Sequence, residues 1–322
     1  MDTPNKPNVF MLFLLLFSVG MQLALYLVVD IFSITHIPAW MFVIFSQVMV
    51  IGIPCAIYLA MHRKNIREIL PLRRLGLHNV FMIIGMSIAI IPLANLLGAI
   101  VAAVFGNPIA GTMGALADEG GLWLLLILIS ILPSIFEEVA LRGIVFSGYK
   151  SVKIFTAATV NGLFFGILHQ NFTQFSYAFV IGFVMCYMMW YTKTLWAPIL
   201  CHFVINVIGA LMSYIGRSID SSALQEEVQY ALSGADVAAT QELWQGLGVL
   251  GAVALVFFGI FILIYFFFKK HNLRRNAADG VVTDTHAALL AKGLPAPKAA
   301  TWGFWAALSF GFLLMISLHM IG

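Results

Sequence analysis

The chain alternates between long apolar runs and short polar connections. Nine runs can be read, at about residues 9–33, 39–61, 80–105, 122–146, 154–169, 174–192, 196–216, 247–268 and 303–321. Most approach the ~20 residues that a helix needs to cross about 30 Å of hydrocarbon. The pattern predicts an all-α, polytopic transmembrane bundle of about nine spans (eight to nine). The first run is too long for the apolar region of a signal peptide and lacks a small-x-small cleavage site, so it is read as a retained first span. No internal repeat is visible. The runs divide the chain into an N-terminal region of three spans (1–120), a core of four spans (121–216), an extracytoplasmic loop (217–246), and a C-terminal region of two spans with a cytoplasmic linker (247–322). Within the polar stretches, 217–246 can form an amphipathic helix outside the membrane, and 271–301 reads as a loose spacer.

Composition agrees. Of 322 residues, 61% are hydrophobic and 10% charged, against roughly 45–50% and about 25% in soluble proteins, and mean hydropathy is +0.98. These values exclude a soluble enzyme, a disordered chain and a nucleic-acid binder. The net charge of +3 is too small to imply an anionic partner. Its distribution says more. Arg63, Lys64, Arg67, Arg73, Arg74, Lys150, Lys153, Lys193, Lys269, Lys270, Arg274 and Arg275 fall in one set of alternate connections. The other set holds Arg217 with Asp118, Glu119, Asp220, Glu226, Glu227, Asp236 and Glu242. The positive-inside rule then places the N-terminus in the cytoplasm and the C-terminus outside, and nine spans have that parity. Trp40, Trp123, Trp196 and Trp302 stand near span ends, as interfacial belts require. Short loops and a plain N-terminus suit a prokaryotic cell membrane. Cys55, Cys186 and Cys201 lie inside apolar runs and read as buried thiols, with no zinc or disulfide spacing.

Polar residues within the apolar runs carry the candidate chemistry, because an ionisable group in hydrocarbon costs at least ~2.5–3.5 kcal/mol and needs a cavity or a partner. The fourth run contains IFEEVALRG. Glu138 and Arg142 are four residues apart and can neutralise each other on one helix face. Glu137 points about 100° away and has no intrahelical partner, which favours a functional role. The fifth run ends FGILHQ, where Phe165 and His169 can pack ring on ring. The seventh begins WAPILCHFVIN, where His202 and Asn206 share a face. A buried carboxylate can act as general base on water, with a histidine sharing the proton, while a second histidine and an amide can supply donors to an oxyanion. Ser134 has no nearby base and reads as a packing residue.

EEVALR at 137–142 fits EExxxR, FGILH at 165–169 fits FxxxH, and HFVIN at 202–206 fits HxxxN. In order and placement these resemble the CAAX-processing and bacteriocin-processing membrane protease family (CPBP, or Abi), which includes the type II CAAX prenyl endopeptidases. The resemblance covers roughly residues 120–212. It implies a metal-independent intramembrane glutamic endopeptidase with no cofactor. Glu137 would be the catalytic base and His169 would help activate water. His202 and Asn206 would form the oxyanion hole, with Glu138, Arg142 and Phe165 in support. Its substrate would be a membrane-associated peptide or protein, prenylated in the eukaryotic members.

Two other readings remain open on the residues themselves. Glu137, His169 and His202 are the right types for a catalytic zinc site, although no HExxH is present. Intramembrane carboxylates and histidines also build proton relays, so a transporter or a non-catalytic scaffold is the third reading. The family reading meets one geometric difficulty. In straight antiparallel helices Glu137 and His169 would differ in depth by about 15 Å. Either Pro133 lifts the Glu137 turn, or the fifth helix starts later or tilts.

Overall fold

The computed structural model describes residues 4–216 and 221–321. Arg217 and Asp220, counted above among the connection charges, lie outside the described residues. The described residues form helices joined by short connections and no strand, with one isolated bridge between Leu72 and Thr194. In order, the helices longer than four residues are α1 (Asn5–Ile31), α2 (Ala39–Met61), α3 (Leu77–Phe105), α4 (Ile109–Val145), α5 (Ile154–Leu168), α6 (Phe172–Thr192), α7 (Trp196–Ile215), α8 (Ser221–Leu232), α9 (Val237–Ala278), α10 (Thr285–Ala291) and α11 (Trp302–Ile321). Among the described residues, eight helices are long and apolar enough to cross a membrane. α5 is apolar but has only 15 residues, about 22 Å at 1.5 Å per residue. The chain is an integral membrane protein, and the polytopic bundle expected from the apolar runs is what it forms.

The bundle is organised around α3, α5 and α6, with α5 packed along α6, and α3 against α6, α7 and α9. Glycine permits the closest of these approaches. A Cβ on Gly162 of α5 would lie 2.7 Å from the Phe179 carbonyl oxygen of α6. Since lipid gives no hydrophobic drive for helix pairing, close packing and amide bonds supply it. Asn79 of α3 and Asn272 of α9, both buried, exchange two side-chain hydrogen bonds of 3.1 and 2.7 Å. Asn8 of α1 donates to the Ala299 carbonyl and the Thr301 hydroxyl at 3.1 and 2.9 Å, and accepts from the Tyr149 hydroxyl. The first helix is thereby pinned to the segment before the last.

Two connections differ from their sequence reading. The stretch 106–121 reads as a loop, yet α4 already begins at Ile109 and bends at Gly121, whose φ of 64° needs a residue without a Cβ. The segment 271–301 is not a loose spacer. α9 continues to Ala278, Asn276 donates to the Tyr191 carbonyl at 2.8 Å, and Lys193 donates to the Thr283 carbonyl at 2.9 Å. Asp284 caps α10, and the His286 ring bonds the Ser151 carbonyl at 3.1 Å. These are side-chain bonds to backbone with no hydropathy period, so an apolar pattern cannot reveal them. The 217–246 stretch carries helix α8, as its amphipathic pattern predicts.

Candidate active site

Glu137 and Glu138 lie on α4 between two widened, π-helical stretches, Leu126–Ile131 and Val139–Val145. Such turns leave carbonyls that need outside partners, and they often accompany functional sites. Pro133 has no N–H for the Ile129 carbonyl four residues back. Asn206 of α7 provides one instead, its Nδ2 donating to that oxygen at 2.8 Å. Asn161 of α5 donates likewise to the Leu141 carbonyl at 2.8 Å. The irregular backbone of α4 is thus held by amides from the two helices that flank it.

The pair expected between Glu138 and Arg142 forms. Arg142 Nη1 lies 2.8 Å from Glu138 Oε1, and both side chains are fully buried. The guanidinium also stacks 4.5 Å above the Phe165 ring. The same Glu138 oxygen accepts from Nδ1 of His202 at 2.9 Å. A chain therefore runs from Arg142 through Glu138 to His202, turning Nε2 of that ring toward Glu137, 4.0 Å from its Oε2. His169 caps α5, with its Nδ1 2.8 Å from the Phe165 carbonyl. Because a carbonyl only accepts, Nδ1 carries the proton and Nε2 is left as an acceptor. Phe165 lies between the two imidazoles, its centroid 5.0 Å from His169 and 5.5 Å from His202.

Glu137, His169, His202 and Asn206 all line one cavity of about 810 Å³. The helices are not the straight antiparallel pair that set the depth difficulty: α5 has only 15 residues, α4 is widened on either side of Glu137, and Glu137 and His169 line the same cavity. Glu137 is buried and its Oε2 has no hydrogen-bond partner among the described residues. Its Oε1 accepts from Nε2 of Gln47 at 2.9 Å, a residue that motif reasoning passes over. The signal was present, since Gln47 is an amide in the middle of an apolar run and intramembrane polar groups are informative by themselves. The zinc reading required Glu137, His169 and His202 to converge on one ion, and among the described residues no group of three such donors is placed to hold a metal. Ser134 bonds the Ile131 carbonyl at 2.9 Å, in keeping with a packing role, and the three cysteines are buried.

Residues 119–208 match the family described as Type II CAAX prenyl endopeptidase Rce1-like. This segment is similar to that family. It contains all three motifs and the cavity residues Glu137, His169, His202 and Asn206, while Gln47 lies outside it. The curated protein named "Putative membrane peptidase YdiL", from Bacillus subtilis (strain 168), is 28% identical over 141 residues, 43% of this chain. The match spans 57% of that relative's length, little more than half. No solved structure matches the chain.

Proposed function

We propose that the protein is a metal-independent intramembrane endopeptidase in which Glu137 is the general base. The observation that carries this reading is Oε2 of Glu137, which has no hydrogen-bond partner among the described residues, in a cavity shared with His169, His202 and Asn206. A water between Oε2 and the free Nε2 of His169 gives up a proton to Glu137 as its oxygen attacks the substrate carbonyl. The tetrahedral oxyanion is met by Asn206, whose Nδ2 keeps a second N–H beyond the one given to Ile129, and by His202. With Nδ1 committed to Glu138, His202 can donate from Nε2 only as the imidazolium. Collapse of the intermediate breaks the C–N bond, and the proton on Glu137 passes to the departing amine.

The substrate is a peptide or protein segment within or against the bilayer, prenylated or not. The Rce1-like match and the name of the Bacillus relative support a peptidase over a transporter or scaffold. Under the positive-inside orientation, with a cytoplasmic N-terminus in a prokaryotic membrane, the cavity opens on the opposite face. It is lined by Gln22, Ala102, Ile109, Thr173 and Met212, which adjoin the connections poor in Lys and Arg. The test is cleavage of membrane-anchored, internally quenched peptides by the purified protein in liposomes. Cleavage that survives chelators and is lost in Glu137→Ala is the expected result. Cleavage abolished by chelators, or proton-coupled uptake lost in Glu137→Gln without any proteolysis, would replace the proposal.

A further inference from the structure

Gln47 belongs to α2, outside the segment that matches the Rce1-like family, yet it lines the cavity beside Glu137. It sits in the π-helical stretch Phe45–Gly52, which packs on the turn of α4 that carries Glu137. Close approach there depends on Gly52, where a Cβ would meet the Phe136 ring at 2.9 Å. Gln47 is only 8% exposed. Its Nε2 donates to Glu137 Oε1 at 2.9 Å, while its own Oε1 is buried without a partner among the described residues. A buried acceptor left unmade costs about 1–3 kcal/mol, so a chain that keeps one beside a reacting carboxylate has a use for it.

We infer that Gln47 is a positioning and substrate-binding residue: its amide N–H holds Glu137 with Oε2 toward the reaction, and its amide oxygen accepts a main-chain N–H of the peptide next to the scissile bond. The inference rests on the hydrolytic reading of the site. The ionised carboxylate fixes the amide's orientation, because a carboxylate only accepts and must face the NH₂ end. The oxygen end is then turned away from Glu137, at a residue that lines the cavity. An extended peptide laid along α2 offers N–H groups to that wall. A neutral acceptor takes the peptide backbone without reading its side chains, so recognition at this point is of extended main chain rather than of sequence.

The experiment has two arms. In the first, the protein in liposomes carries ¹³C-labelled glutamate, and the Glu137 carboxyl resonance is assigned by its loss in Glu137→Gln. Gln47→Met, similar in size but without donor or acceptor, is expected to move that resonance and leave Glu119 in place. An unmoved Glu137 resonance would overturn the clamp. In the second arm, a quenched peptide cleaved by the wild type is N-methylated at each backbone amide flanking the cleavage point. Gln47→Met is expected to lower kcat/KM by roughly 10- to 150-fold, the size of a hydrogen bond to a charged group. One N-methyl position should cost the wild type about tenfold and the variant nothing further. Equal N-methyl penalties in both proteins would overturn the substrate contact. If the wild type cleaves no peptide, the hydrolytic reading and the substrate contact fail together, and the resonance still judges the clamp. Should Gln47→Met not fold, Gln47→Asn, one methylene shorter and out of reach of Glu137, takes its place in both arms.

Discussion

Arg142→Met tests the frame that holds the site. Arg142 is fully buried, bonds Glu138 at 2.8 Å and stacks on Phe165 at 4.5 Å. Methionine keeps much of the aliphatic volume and removes the charge. Glu138 would then be a fully buried carboxylate whose remaining partner is the His202 ring. Breaking a buried pair in this way costs about 3–5 kcal/mol. The lost stacking adds ~1–2 kcal/mol, the range for a desolvated cation over an aromatic face. Equilibrium unfolding in mixed micelles should therefore show Arg142→Met less stable by ~4–7 kcal/mol. The double variant Arg142→Met with Glu138→Gln removes the stranded charge and should recover most of that loss, since neutral replacements of a buried pair are often harmless. It should still cleave poorly, because His202 loses the carboxylate that orients it. A single variant as stable as the wild type would refute the buried-pair account, and so would a double variant no better than the single.

Asn272→Leu strands one side of the Asn79 amide exchange and should cost ~0.6–1.7 kcal/mol in the same unfolding assay, the range for interhelical bonds in membranes, whereas leucine at both positions should be closer to wild type. Gly162→Ala drives a methyl into backbone that cannot yield, 2.7 Å from the Phe179 oxygen, and should destabilise by ~1–3 kcal/mol; an unchanged unfolding midpoint would show that α5 and α6 can separate freely. Lys193, in the connection between α6 and α7, has its pKa lowered to about 8 by desolvation. The unfolded chain therefore binds more protons between about pH 8 and the ordinary lysine range, and stability should rise with pH across that window. Lys193→Gln should flatten the rise, and a slope that survives the substitution belongs to another group.

The sequence shows the spans and the chemistry better than it shows what positions them. Apolar run length sets the bundle, and the i,i+4 spacing of Glu138 and Arg142 sets their ion pair, because both are local properties of a helix. The partners of Glu137 and His202 are not local. Gln47 comes from 90 residues away and Glu138 meets His202 across 64, so only the packing of α2, α4 and α7 reveals that one carboxylate is clamped by an amide and the other by an ion chain. The sequence pairs His202 with Asn206 by their spacing. The fold instead gives His202 to Glu138 and Asn206 to the carbonyl that Pro133 leaves open. The docked segment after α9 is illegible for the same reason, its bonds being side chain to distant backbone.

The central claim is that two adjacent glutamates have different work, Glu137 chemical and Glu138 structural. Unfolding and peptide cleavage measured side by side for Glu137→Gln and Glu138→Gln test it most directly. Glu137→Gln should unfold like the wild type and lose ~10²–10⁴-fold in cleavage rate, the contribution of a general base. Glu138→Gln should be destabilised, with its buried arginine left unpaired. Wild-type cleavage by a folded Glu137→Gln protein would contradict the account.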